Sequence, residues 1–511
     1  MLNVNNNATH LKREILIKLM ELQLKGELEN EEELKKIPVE LSPDGSTPIR
    51  GSIEEDRDVI KIRIAAHLGH SIEDYDGTKS LSQYATEALQ REKPTWPMLT
   101  VIRSACNACS KSHYFPTDAC QGCLARPCKE NCPRKAIEIT NHRARIDASK
   151  CINCGLCAQN CPYHAIIKTV VPCEEACPVG AISKDKTGHE VINYDKCIFC
   201  GKCMSSCPFS AMMGKSQMID VLKHILAGKK VVALYAPAVG AQFKAKPGQL
   251  EGALLKAGFS KVWEVAIGAD VTADREAKEF VERMEHGAKM MTTSCCPAYV
   301  RAVNVHVPQL SKCISETKSP MIYTAELARK ADPDCVTVFI GPCLAKRREG
   351  FDNEIIDYVL TAEEMLDLFD AMQIDITKME SKLCSYTPTV SGRNFAKTGG
   401  VAESVKVRLR DKSILRPAVI NGLDKAGMKV LANYGKINSS TATTSPDCPN
   451  LIEVMCCEGG CIAGPGVITN PKLGNGLLNI YANAGSKPDE DGIPIPCDMD
   501  EIVKNEEKNL A

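Results

Sequence analysis

Two cysteines stand side by side in Thr293-Ser294-Cys295-Cys296-Pro297-Ala298-Tyr299. Adjacent thiols in an otherwise enzyme-like sequence can divide labour, one binding a metal while the other stays free to react. Two further stretches offer thiols to the same centre, Gly341-Pro342-Cys343-Leu344-Ala345-Lys346 and Met455-Cys456-Cys457-Glu458-Gly459-Gly460-Cys461. The chain has 27 cysteines, and those between Cys106 and Cys207 recur in C-x-x-C and C-x-x-x-C-P units. With no signal-peptide pattern at Met1 and this spacing, ligation of metals or clusters is expected rather than a disulfide framework.

Two units are complete: Cys151-x-x-Cys154-x-x-Cys157-x-x-x-Cys161-Pro162 and Cys197-x-x-Cys200-x-x-Cys203-x-x-x-Cys207-Pro208. In this ferredoxin spacing three close thiolates grip one [4Fe–4S] cluster and the fourth crosses to a neighbouring cluster. Zinc also uses C-x-x-C, but zinc ribbons lack the longer unit. If the two complete units exchange their fourth ligands, Cys151, Cys154 and Cys157 share a cluster with Cys207. Cys197, Cys200 and Cys203 then share one with Cys161. The looser triplet Cys120, Cys123 and Cys128 would take Cys177, leaving Cys106, Cys109, Cys132 and Cys173 for a fourth cluster. Closely spaced clusters carry electrons between a surface and a buried site, and the group containing Cys207 is expected nearest that site.

The elements that must position these thiols read as three regions. Residues 1–100 are charged and free of cysteine, with helical periodicity over Leu11–Leu24, and are expected to form a helical N-terminal extension. Residues 101–215 are expected to form a ferredoxin-like α+β domain with four [4Fe–4S] clusters. Residues 216–511 read as an α/β domain. Its β-rich runs include Val231–Tyr235, Val262–Ala266, Met290–Thr293, Val336–Ile340 and Leu451–Met455, with helical stretches such as Asp274–His286 and Ala362–Met372 between them. The thiol motifs follow three of these runs, where open α/β sheets place ligands.

The three ordered cysteine motifs resemble the catalytic domain of the [FeFe]-hydrogenases, and the resemblance spans roughly residues 100 to 470. It implies an α/β catalytic domain with the active-site cluster between strand ends. It also implies a [4Fe–4S] cluster held by Cys296, Cys343, Cys457 and Cys461, with Cys461 bridging to a diiron subcluster that bears CO, cyanide and azadithiolate. Cys295 would exchange protons with the bridging amine, fed through Glu276, Ser315, Glu279 and Arg283. Glu276, Glu279 and Arg283 share one helical face; alone, Glu279 and Arg283 would read as a solvated i,i+4 pair. Lys346 matches a lysine that contacts cyanide, Ala236 and Pro237 a loop beside the diiron unit, and Met455 a packing residue there. The segment Phe395–Val401 also looks like the family.

The sequence departs from the family pattern at Ala238, Gly341, Met321, Ala298-Tyr299, Cys456 and Pro465. These departures suggest a divergent branch such as group B. Cys313, Cys335, Cys384, Cys448 and Cys497 read as structural. The expected activity is that of an oxygen-sensitive hydrogenase, reversible oxidation of hydrogen, with ferredoxin or a similar soluble carrier as electron partner and dedicated diiron maturation proteins. Non-catalytic iron–sulfur assembly scaffolds and slow hydrogen sensors share the fold and stand as alternatives. The net charge of −1 and pI near 6.8 give no electrostatic case for nucleic acid or an anionic membrane. Without a long apolar run, a cytoplasmic protein is expected.

Overall fold

Each helix of the N-terminal stretch starts at a side chain suited to capping its first turn. The computed structural model describes residues 6–73, 75, 77–382, 386–440, 447–487 and 498–510; Cys384 and Cys497 lie outside them. Helices α1 (Asn7–Lys25), α2 (Glu31–Leu41), α3 (Ile53–His67) and α4 (Leu81–Gln90) begin after Asn6, Asn30, Ser52 and Ser80. Each of these side chains accepts a hydrogen bond from an otherwise unpaired N–H of the first turn. The apolar stripe Ile15, Leu16, Leu19 and Met20 of α1 is fully buried and belongs to the same core as Ile219, Leu222, Met365 and Leu368. Lys12 pairs with Glu363 at 2.7 Å and Arg13 with Asp367 at 2.5 Å. The extension is therefore packed into the core of the α/β region.

The cysteine-rich region folds as two nested modules. The outer one is closed by the antiparallel pair Leu99–Val101 with Met212–Gly214 and carries the hairpin 182–192. The inner one is closed by His113–Pro116 with Ile166–Thr169 and carries the hairpin 137–146. It sits between Cys109 and Cys173 of the outer module. In each, two short helices that bear thiols pack together, Pro127–Glu130 on Leu156–Gln159 and Pro172–Ala176 on Lys202–Ser206.

The α/β region contains two parallel sheets. Its strands are β1 (Val231–Tyr235), β2 (Lys261–Glu264), β3 (Met291–Thr292), β4 (Val336–Ile340), β5 (Tyr358–Leu360), β6 (Pro417–Asn421) and β7 (Leu451–Met455). One sheet has the order β2-β1-β4-β5 and the other β3-β7-β6. Every residue of β1 and β7 is buried; β1 accordingly reads as an unbroken apolar run, and β7 is interrupted by the buried Glu453, which accepts from the Gly399 and Ala402 N–H groups. The expected strands are present within a residue or two of their ends. Helix α5 (Ala266–Glu285) is longer than the expected helix and packs against helices Pro320–Ala331 and Gly400–Arg408.

Arg347 ties the regions together. Its guanidinium, 3 % exposed, pairs with Glu364 at 2.6 Å and donates to the carbonyls of Lys215 at 2.7 Å and Val359 at 3.2 Å. Arg347→Ala would leave the Glu364 carboxylate buried without its cation. A loss of about 3–5 kcal/mol is expected, to be read from the denaturant midpoint at constant m-value.

Candidate metal centre

The loops that leave the carboxyl ends of β1, β3, β4 and β7 converge on one cavity. It encloses about 870 Å³ of space between atoms, part of it open to solvent. Cys295 and Cys296 follow β3, Cys343 follows β4, and Cys457 and Cys461 follow β7; all five thiols line it. Ala236 and Pro237 after β1, Met455 at the end of β7, and Lys346 complete the set anticipated from sequence. Phe395 and Ala396 contribute from the 395–401 segment. Its remainder meets the Cys457–Cys461 turn, where Thr398 donates its N–H to the Gly459 carbonyl at 3.2 Å. Gly460 has φ +95, and a Cβ there would lie 2.7 Å from the Thr398 nitrogen, so the approach of the two loops requires glycine.

The walls are mainly apolar, and burial is the largest influence on each thiol. It pushes Cys343 and Cys461 up to about 12 and raises Cys296 and Cys457. Three backbone N–H groups, of Tyr299, Cys456 and Ala298, pull Cys296 back down, and Lys346 acts in the same sense. Lys346 is itself buried. It donates to Glu349 at 2.6 Å and Ser319 at 3.1 Å, and these partners hold the ammonium charged at the cavity wall. Among the described residues no three His, Cys, Asp or Glu side chains close on a single ion; the thiols surround a space instead.

Cys295 adjoins a cluster of polar groups. Glu276, fully buried on α5, accepts from the Ser294 N–H at 3.2 Å and the Ser294 hydroxyl at 3.4 Å through Oε1, while its Oε2 has no hydrogen-bond partner. Burial, helped by the nearby Glu279 charge, pushes its carboxyl up to about 7 against the pull of Ser294 and Ser315. Ser315 donates to Glu279 Oε2 at 2.6 Å. Glu279 also receives the Thr317 hydroxyl at 2.8 Å, the Glu316 N–H at 2.9 Å and the Arg283 guanidinium at 2.6 Å. Burial alone would raise Glu279, but those donors outweigh it and hold the carboxyl below its ordinary value. Glu279 and Arg283 are 17 % and 18 % exposed, so this end of the cluster meets the surface. Burial and the Glu276 charge drive Cys295 well above the ordinary thiol range.

The accessory thiols group differently from the expected pairing. Cys132 shares a small space with Cys151, Cys154 and Cys157, and Cys177 shares one with Cys197, Cys200 and Cys203. Cys161 acts on Cys128 together with Cys123, beside Cys120. Cys106 and Cys207 act on Cys109, and Cys207 acts on Cys173. The crossing of the fourth thiol occurs within each nested module, Cys132 for Cys161 and Cys177 for Cys207. The two complete units do not face one another, because each packs on the incomplete motif preceding it. The thiol group beside the cavity is also not the expected one. Cys200 lines both the main cavity and the space it shares with Cys177, Cys197 and Cys203. Cys456, 3 % exposed, lies near Cys200 in the lining of the same cavity.

Several departures have local reasons. A Cβ on Gly341 would meet the Phe339 ring at 2.2 Å, and Phe339 lines the cavity. Pro465 packs on Gly201 of the second cysteine unit. Tyr299 is buried with its hydroxyl donated to Thr292 at 2.6 Å. Cys313 and Cys335 are buried and Cys448 is half-buried, all away from the cavity lining. Ser294 and Thr317 had no role assigned from sequence, and Cys200 was expected as a cluster ligand but not in the lining of the main cavity. Ser294 carries only the signal of adjoining Cys295, and Thr317 that of lying two residues past Ser315.

The family model described as iron-only hydrogenase large subunit, C-terminal domain, matches residues 229–465, and the 4Fe-4S binding domain matches residues 144–167 and 190–213. The chain is 33 % identical over 380 residues to the periplasmic [Fe] hydrogenase large subunit of Nitratidesulfovibrio vulgaris, covering 64 % of this chain and 86 % of that one. It is 28 % identical to iron hydrogenase 1 of Clostridium pasteurianum, covering 68 % and 69 %. It is also 23 % identical to a cytosolic Fe-S cluster assembly factor of Kluyveromyces lactis, over 41 % of this chain and 58 % of that protein. No helix among the described residues is long and apolar enough to cross a membrane.

Proposed function

Because the chain belongs to the iron-only hydrogenase family, in a divergent form, we propose that it catalyses 2 H⁺ + 2 e⁻ ⇌ H₂. Cys296, Cys343, Cys457 and Cys461 would hold a [4Fe–4S] cluster, and Cys461 would also serve a diiron unit carrying CO, cyanide and azadithiolate. The residues fit that group. Soft thiolates suit iron–sulfur binding, the cavity beside them is mainly apolar, and among the described residues Lys346 is the one cation in its lining. When bound, the group supplies the iron site at which protons and electrons combine.

This chain's own residues do the rest. Cys295 holds a proton at Sγ, since burial and the Glu276 charge disfavour its thiolate. Glu276, poised near neutrality, passes protons between Cys295 and Ser315, and Glu279 with Arg283 opens the path to solvent. Lys346 offers a compact ammonium to an anionic ligand, held in place by Ser319 and Glu349. Ala236, Pro237 and Met455 shape the wall and exclude water.

Four [4Fe–4S] clusters on the thiol groups described above would form the electron path. Its inner end is the group of Cys177, Cys197, Cys200 and Cys203. A soluble ferredoxin-like carrier is the proposed partner, with diiron maturation proteins, in the cytoplasm.

The observation that carries this reading is the buried polar cluster of Glu279, Ser315, Ser294 and Glu276, which meets solvent at Arg283 and lies beside Cys295 at a thiol-lined cavity. The likeness to an assembly factor favours a second reading, a cluster scaffold without the diiron unit. A scaffold has no use for a proton path. Hydrogen evolution from a reduced viologen by matured protein tests the choice: turnover supports the enzyme, and none from fully loaded protein supports the scaffold.

A further inference from the structure

We propose that Arg63, on N-terminal helix α3, is the buried counter-cation of a cluster held by Cys106, Cys109, Cys173 and Cys207, and that it makes this cluster easier to reduce. The inference rests on the reading of those four thiols as cluster ligands.

Arg63 is 3 % exposed. Its guanidinium donates to the Ser210 carbonyl at 2.8 Å and the Phe209 carbonyl at 2.9 Å, which directly follow Cys207-Pro208. Its Nε has no partner, and among the described residues no carboxylate pairs with it. A buried charge is costly unless an opposite charge compensates it. Two carbonyl dipoles orient the fork but supply no net charge.

The neighbouring groups do not supply one either. Arg50 is a like charge that opposes Arg63, and its own ion pair is with Asp56 at 3.3 Å. Cys207 is the one group whose negative charge acts on Arg63 favourably. Burial brings the guanidinium down only to about 10, so it stays protonated at neutral pH. The other cation beside this thiol group, Lys184 near Cys109, is already paired with Glu190. Cys106 and Cys207 also pack against the core that the N-terminal helices help to build. Arg63 is thus a fixed, unpaired cation beside a site that lacks one.

A [4Fe–4S] core with four thiolates carries two negative charges when oxidised and three after taking up one electron. That electron would come from the external carrier through the outer clusters, with no proton or bond change. A fixed cation favours the more negative form, and net charge around a cluster is one of the terms that set its potential. The N-terminal region would then act on electron transfer as well as on packing.

The test is a reductive titration of the matured full-length protein followed by electron paramagnetic resonance, on wild type, Arg63→Gln, Arg63→Met and Arg63→Lys. Both neutral variants are expected to move one accessory-cluster potential to a more negative value and leave the others in place. Arg63→Lys, which keeps the charge, should stay nearer wild type. Arg63→Met serves if the glutamine variant does not fold, since an apolar side chain of similar length leaves no unpaired charge. Full iron and sulfide content with unmoved potentials in a neutral variant would overturn the role of Arg63 alone. Wild-type protein lacking the iron for a cluster at these four thiols would overturn the ligand reading and the inference with it.

Discussion

Replacing Cys295 with alanine should lower hydrogen turnover by about 10²–10⁴-fold, the span usually lost with a positioned proton-transfer group. Iron content should stay unchanged, because the proposed ligands are the neighbouring Cys296 and three thiols from other loops. The expectation rests on placement. Cys295 lines the cavity, packs against the apolar cluster that includes Ala269, Phe395 and Met455, and feels the charge of Glu276. Cys295→Asp, which restores a group that can give and take a proton, should recover part of the rate. Equal turnover in wild type and the alanine variant would remove Cys295 from the mechanism, and loss of iron from that variant would make it a ligand instead.

The second large effect belongs to Glu276. Glu276→Gln keeps the oxygen that accepts from Ser294 but cannot exchange a proton, so turnover in both directions should fall by a similar factor of about 10²–10⁴. Its pH dependence is the sharper test. The carboxyl titrates at about 7 because burial disfavours its charged form. Hydrogen evolution needs the protonated acid and should rise as pH falls through 7. Hydrogen oxidation needs the carboxylate as acceptor and should fall over the same interval. In Glu276→Gln the limb near 7 should vanish from both residual profiles. A profile unchanged in shape would show that another group sets it.

The sheets were legible because parallel strands buried on both faces leave mainly apolar runs such as Val231–Tyr235 and Val336–Ile340. The thiols of the main cavity were legible through the three motifs that carry the family resemblance, and those motifs lie at strand ends, where loops converge. Pairing of the accessory thiols was not. Spacing identifies which three cysteines sit close together, but the crossing thiol depends on which helices pack. Here the inner module is inserted between Cys109 and Cys173, so the complete units never meet. The same nesting brings Cys200 to the cavity. Arg63 left no trace in the sequence either. A lone arginine in a charged helix looks solvated until α3 is seen against the Phe209 and Ser210 carbonyls. Cys456 was visible as an extra thiol, but its contact with Cys200 joins elements more than 250 residues apart.

The central claim is that the cavity takes a diiron unit with diatomic ligands. It is tested most directly by the infrared spectrum of protein matured without oxygen. The account predicts stretches of iron-bound CO and cyanide, all abolished together in Cys461→Ala. A protein with its full complement of [4Fe–4S] clusters but no such bands, matured by machinery that loads a control hydrogenase, would contradict it and leave the scaffold reading.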